Sequence, residues 1–206
     1  MNKVVGFAMC GSFCTFKEVI PQIEMLKKLN YDIVPIMSEI AYETDTRFGK
    51  AEDFRSRIET ICKHEILHTI PQVEPVGPKK LLDVLVIAPC TGNTAAKLAN
   101  GITDTSVTMA AKSHLRNGRP VVIAVSTNDG LACAAKNIGA LLNYRNIWLV
   151  PFRQDDHEKK PRSLAADFTL IPAAVEAALK GEQLQPISSE PVSYTHLRAH
   201  ETGRNL

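Results

Sequence analysis

The sequence predicts an α/β fold, a doubly wound and mainly parallel sheet of the Rossmann- or flavodoxin-like three-layer type. Two observations predict it. Five short runs rich in Val and Ile are apolar on both faces, as strands covered on both faces of a parallel sheet are. Stretches with helical spacing separate these runs, the order expected of βα units.

The first run, residues 3–9, leads into Phe16, Val19, Ile20, Ile23 and Leu26, which fall on one helix face. Thr15 and Glu18 have capping-box spacing at its start, and Pro21 inside it predicts a kink or a later start. The second run, 31–37, is followed by Ala51, Phe54, Ile58, Ile61 and Cys62, again on one helix face. The third run, 82–88, precedes a helix over 93–100 that stops at Asn100-Gly101, a left-handed C-cap. Asp104 is placed to cap a helix running through Leu115. The fourth run, 120–125, is followed by a helix over 130–142, and the fifth strand covers 146–152. A last helix, 172–180, opens with Pro172 in its first turn and ends at Gly181.

Composition narrows the function classes. The chain has 206 residues, 45% hydrophobic and 22% charged, which is the texture of one globular domain. Its 24 basic and 22 acidic side chains leave a net charge of +2, so no electrostatic footprint points to nucleic acid or to an anionic membrane. The apolar runs are far shorter than the ~20 residues of a membrane span. The N-terminal run, broken early by Gly, Ser and Cys, reads as a buried strand and not a signal peptide. Five cysteines without a C-x-x-C spacing speak against a disulfide scaffold or a structural zinc site and for a reducing, cytoplasmic setting.

From Ser188 the texture changes. Residues 188–206 contain no Ile or Phe and no periodicity, and their two Arg balance two Glu. The expected domain is 1–187, with a disordered or non-native tail after it.

Open parallel sheets bind ligands at the carboxyl ends of their strands. The residues just after the five runs are therefore the candidates. They include Gly11 and Ser12; Ser38; Thr91, Gly92, Asn93 and Thr94; Ser126, Thr127 and Asn128; and the charged stretch 153–160. Small hydroxyls and glycines leading into helix N-termini suit a phosphate monoester, because orphan N–H groups point out of a helix start. Each loop alone reads equally well as turn and cap; their convergence on one sheet edge is the signal. Neither G-x-G-x-x-G nor G-x-x-x-x-G-K-[ST] occurs, which argues against a conventional dinucleotide loop and a P-loop.

Two other arrangements carry chemistry in principle. Cys10 and Cys14 flank Gly11-Ser12 and read either as reactive thiols or as small packing residues. His64-Glu65-Ile66-Leu67-His68 fits H-E-x-x-H literally, but Thr69-Ile70-Pro71 would end such a helix at once, and no metal is expected.

The third loop carries a resemblance. Pro89-Cys90-Thr91-Gly92-Asn93-Thr94, continued by Lys97-Leu98-Ala99-Asn100-Gly101, resembles the Pro-Ala-Ser-Ala-Asn-Thr motif of the flavoprotein family that includes FMN-binding cysteine decarboxylases. Ser126-Thr127-Asn128 falls where that family has Pro-x-Met-Asn, with the Asn kept, and Gly11-Ser12 matches its first phosphate loop. Within the family, residues 3–187 are similar to the branch of dipicolinate synthase B subunits. The carriers are Gly11-Ser12-Phe13-Cys14-Thr15, Thr46-Arg47-Phe48-Gly49, Asn117-Gly118-Arg119-Pro120 and Pro151-Phe152 with Gln154-Asp155-Asp156.

That resemblance implies an FMN-type site and a share in oxidising a dihydro- or hydroxytetrahydro-dipicolinate to pyridine-2,6-dicarboxylate during sporulation, in the mother-cell cytoplasm. It implies a partner A subunit that holds NADP, a homo- or hetero-oligomer, and a small dicarboxylate substrate. It assigns Gly11, Ser12 and Ser38 to the phosphate, with Gly92, Ser126 and Thr127 in the same cofactor loops. Thr91, Asn93 and Thr94 go to the ribityl or ring edge, and Asn128 and Arg47 to catalysis. Arg153, Lys159 and Lys160 are further carboxylate candidates. One departure stands out. The decarboxylases carry a catalytic His shortly before the third strand, and residues 73–80 contain none. A decarboxylase needs a proton donor or base at the substrate. The alternatives are a non-catalytic scaffold partner of the A subunit and a stand-alone FMN-dependent decarboxylase-like enzyme.

Overall fold

The computed structural model describes residues 2–188. Five strands run parallel: β1 (Val4–Met9), β2 (Asp32–Met37), β3 (Val84–Cys90), β4 (Val121–Thr127) and β5 (Ile147–Leu149). Two more, β6 (Phe152–Asp156) and β7 (Lys160–Ala166), form an antiparallel hairpin. The sheet order is β2-β1-β3-β4-β7-β6, with β5 beside β4. β4 is forked: Val121, Val122 and Ile123 pair with β5, while Ser126 and Thr127 pair with β7.

The helices are α1 (Phe16–Lys28), α2 (Glu39–Glu43), α3 (Ala51–Cys62), α4 (Ile70–Val73), α5 (Gly92–Ala99), α6 (Ser106–Leu115), α7 (Ala135–Leu142) and α8 (Ile171–Leu179). They cover both faces. On one side, Val5, Phe7 and Met9 pack with Val84 and Val86 against α1, α3 and α8. On the other, Ala8, Leu85, Ile87 and Ile123 pack against α4, α5, α6 and α7. Period-two alternation along β1 and β3 feeds these two layers, and every residue of β3 is buried. Among the described residues no helix is long and apolar enough to cross a membrane.

The predicted α/β class holds, with local corrections. The expected fifth strand splits, because Pro151 has no N–H to donate to a ladder. β5 ends at Leu149, and the chain turns back as β6 and β7. Asp104 does not cap α6. Thr105 does: its Oγ1 accepts the Thr108 N–H at 3.2 Å, while Asp104 pairs with Lys97 at 2.8 Å. Thr15 makes no side-chain cap either; its hydroxyl donates to Ser12 O at 2.8 Å, and a 3-10 turn over Phe13–Thr15 precedes α1. α1 neither starts late nor stops at Pro21, and Val19, Ile20 and Ile23 around it are buried. The helix expected from residue 130 begins at Ala135, after turns in which Asp129 O accepts the Ala132 and Ala134 N–H groups. Gly101 and Gly181 do adopt left-handed φ values of 70° and 79°. Beyond Ser188, the tail assigned to 188–206 lies outside the described residues; Ser188 itself bridges to Phe152.

Candidate functional site

An open cleft of about 350 Å³ lies at the carboxyl edge of the sheet. β1 delivers Gly11 and Ser12, β3 delivers Thr91, and β4 delivers Ser126, Thr127 and Asn128. The start of α1 adds Thr15 and Glu18, and the β6–β7 hairpin closes the far side with Arg153, Asp155, Lys160 and residues 163–166. The volume falls in the range of ordinary small-molecule sites, roughly 300–1,000 Å³.

The hydroxyls are organised from the backbone outward. Ser12 Oγ and Ser126 Oγ lie 2.9 Å apart, joining the first and fourth loops. Thr91 caps α5 by accepting the Thr94 N–H at 3.2 Å. Its own hydroxyl donates to Thr94 Oγ1 at 3.1 Å, and that hydroxyl donates to Cys10 Sγ at 3.3 Å. Thr127 Oγ1 donates to Asp129 Oδ1, and Ser163 Oγ donates to Thr127 O at 3.3 Å, pinning β7 to the end of β4. Gly92 is required here: a Cβ on it would stand 2.6 Å from Thr127 Oγ1 and 2.9 Å from Asp129 Oδ1. The start of α5 can therefore press against the fourth loop, with the outermost N–H groups of the helix lacking intrahelical partners.

Of the sequence-nominated residues, Gly11, Ser12, Thr91, Ser126, Thr127, Asn128, Arg153 and Lys160 meet in this cleft. The others stand elsewhere. Ser38 Oγ accepts the Ala41 N–H at 3.3 Å as the cap of α2. Thr94 points inward to Cys10, and Asn93 is exposed on the first turn of α5. Arg47 sits outside the cleft with its guanidinium 4.8 Å above the Phe48 ring, and Lys159 forms the hairpin turn, its N–H donating to Asp156. Sequence reasoning misses Glu18, Ser163 and Phe168 as cleft residues. Glu18 has the spacing of a capping residue, and residues 153–160 have the texture of a loop. Among residues 160–166, only 163, 164 and 166 are buried, too few to signal a strand.

Burial pushes the Cys10 thiol up to about 11 and Cys90 well above the usual thiol value. Both are therefore neutral packing groups, whereas Cys14 is exposed at the cleft. The hydrogen bond from Lys160 to Asp155, at 2.8 Å, raises the lysine and holds it protonated. The H-E-x-x-H string is not helical. His64 Nε2 lies 3.1 Å from Asp32 Oδ1, and His68 stacks on Tyr42 with ring centroids 3.7 Å apart. The segment before β3 that lacks a His is built on Val73 and Val76, both fully buried.

The Flavoprotein family model matches residues 1–159. The dipicolinate synthase B subunit of Bacillus subtilis is 45% identical over 189 residues, 92% of this chain and 94% of the relative. The crystal structure of the dipicolinate synthase B subunit from Bacillus halodurans superposes with a TM-score of 0.85 at 44% identity, covering 92% of this chain and 99% of that one. An FMN-dependent cysteine decarboxylase, SpaF, shares the fold at a TM-score of 0.62 and 22% identity, covering 87% of this chain and 96% of its own.

Proposed function

This chain belongs to the flavoprotein family, and from that premise we propose that it is the flavin-binding component of a two-component, dipicolinate-forming oxidoreductase. The observation that supports this reading most is the meeting of Gly11, Ser12, Thr91, Ser126, Thr127 and Asn128 in one cleft. These residues come from three strands, in a chain similar along 92% of its length to a dipicolinate synthase B subunit.

The cleft suits a phosphate-bearing flavin in its chemistry. Its sheet side offers small hydroxyls, glycine backbone and the start of α5, and a Cβ on Gly11 would find its nearest neighbour only at 3.5 Å. Gly11 and Ser12 would hold the phosphate, Thr91 and Ser126 the ribityl hydroxyls, and the Asn128 amide the ring edge or the substrate. FMN, when bound, supplies two-electron redox chemistry. The chain's own residues orient the substrate ring and fix its polar groups. NADP on a partner A subunit takes up the electrons in this reading, and the substrate is a small dihydro- or hydroxytetrahydro-dicarboxylate. The domain proper ends near Ile187.

A visible absorption spectrum of the purified full chain, followed by FMN titration and assay with the A subunit and NADP, tests this. A flavin spectrum or saturable FMN binding, with dipicolinate formation only when both proteins are present, is the expected result. The absence of a His over 73–80 favours a second reading, a scaffold that supports the A subunit without redox chemistry of its own. A chain that ignores FMN yet binds the A subunit tightly would select it.

A further inference from the structure

Most hydroxyls of the cleft, and its glycine, lie at the ends of β1, β3 and β4, while the β6–β7 hairpin contributes Arg153, Asp155 and Lys160 beside Ser163. Residues 153 and 155 of β6 are two apart and share a strand face, and both line the cleft. Gln154 is used elsewhere, its Nε2 donating to Pro161 O at 2.9 Å. The hairpin is set by the same strand that carries the polar loop: Ser126 pairs with Ala165 and Thr127 with Leu164. Arg153 lies opposite Ala165, which also lines the cleft.

The charges on this wall are not equivalent. Lys160 is held by Asp155 at 2.8 Å, which engages the one acid on Arg153's own strand face. Glu18, across the cleft on α1, forms no ion pair with Arg153, and among the described residues Arg153 has no salt-bridge partner at all. A guanidinium at a cleft without an ion-pair partner is a ready oxyanion site, because its fixed fork matches a carboxylate bidentately.

We propose that Arg153 binds one carboxylate of the substrate and sets the ring against the Ser126–Asn128 side of the cleft. This deepens the function proposed above and rests on it for the substrate class. The same chemistry would serve a flavin phosphate, but Gly11 and Ser12 of the first loop already offer that group backbone and hydroxyl contacts. The carboxylate is therefore the assignment.

The test uses the full chain carrying Arg153→Gln or Arg153→Lys, both at an exposed position, with calorimetric titration of three probes: pyridine-2,6-dicarboxylate, FMN and riboflavin. Arg153→Gln should weaken the dicarboxylate by about tenfold to a hundredfold, the range for losing a hydrogen bond to a charged group. Arg153→Lys should weaken it less, and both flavins should bind as to the unaltered chain. Weaker FMN with unchanged riboflavin would make Arg153 a phosphate ligand and overturn the proposal. Unchanged binding of all three, or no dicarboxylate binding by the unaltered chain, would overturn it too. The dicarboxylate is titrated with and without FMN. A chain that binds it through Arg153 but never binds flavin keeps this inference and loses the flavin reading.

Discussion

Ser12 and Ser126, 114 residues apart in the chain, bring their hydroxyl oxygens to 2.9 Å at the mouth of the cleft. This contact ties the loop after β1 to the end of β4 across β3. One hydroxyl must donate and the other accept, so the acceptor of the pair keeps its own proton free for a ligand. Removing either side chain should cost stability and ligand affinity together. Ser12→Ala, Ser126→Ala and the double variant, compared by urea unfolding, should show a coupling of about 1 kcal/mol. FMN affinity should fall in each single variant. Additive effects on stability would mean the two hydroxyls act independently.

Gly92 and Gly139 make an internal contrast. Gly92 opens α5 where a Cβ would stand 2.6 Å from Thr127 Oγ1, so Gly92→Ala must push the fourth loop away. The expected cost is about 1–3 kcal/mol, as for other overpacked sites, with weakened FMN binding because Thr127 lines the cleft. Gly139 lies within α7 with nothing within 4 Å of its added Cβ. Gly139→Ala should stabilise by up to about 1 kcal/mol through helix propensity alone. Thermal unfolding of both variants checks the pair; a neutral Gly92→Ala would show that the loops do not press together.

The parallel core was legible because its signals are local. Val5, Phe7 and Met9 alternate with Ala8 and Cys10, and the helix faces of Val19 and Ile58 repeat at helical spacing. Half of the cleft was legible for the same reason, since Gly11, Ser12, Thr91 and Ser126 directly follow apolar strands. The other half was not. The hairpin strands are largely exposed, so their hydrophobic pattern is faint, and pairing of Ser126 with Ala165 is a long-range event that no local window contains. Ser38 and Thr94 illustrate the converse. A hydroxyl after a strand satisfies a helix N-terminus or a buried thiol as readily as a ligand, and sequence alone does not say which.

The start of α6 offers two adjacent cap candidates, Asp104 and Thr105, both of good cap type. Only Thr105 bonds the Thr108 N–H, and Thr108 Oγ1 in turn accepts the Thr105 N–H at 3.1 Å. Asp104 makes a surface pair with Lys97, of the kind worth little. Thr105→Ala should destabilise by about 1 kcal/mol, within the roughly 0.5–2 kcal/mol range for lost caps. Asp104→Ala should cost less than about 0.5 kcal/mol. Chemical denaturation of the two variants ranks them, and the reverse order would restore Asp104 as the cap.

His114 should make the fold acid-sensitive. It is fully buried on α6, its Nε2 lies 3.1 Å from Pro120 O, and its Nδ1 has no hydrogen-bond partner among the described residues. Burial drives its pKa down from 6.5 to about 4; the Pro120 carbonyl opposes this and Arg119 adds to it. The unfolded chain therefore takes up a proton near pH 6.5 that the folded chain refuses until about pH 4. Between those values the unfolded state binds more protons, so stability falls as pH falls. The contribution is fully present above pH 6.5 and lost by about pH 4, and the shift corresponds to about 3 kcal/mol. Urea unfolding from about pH 7.5 to about pH 4 should show this decline in the unaltered chain and a shallower one in His114→Gln. That variant gives up the titratable ring, so its stability relative to the unaltered chain should improve as the pH drops. Parallel profiles for the two chains would mean that His114 is protonated without penalty.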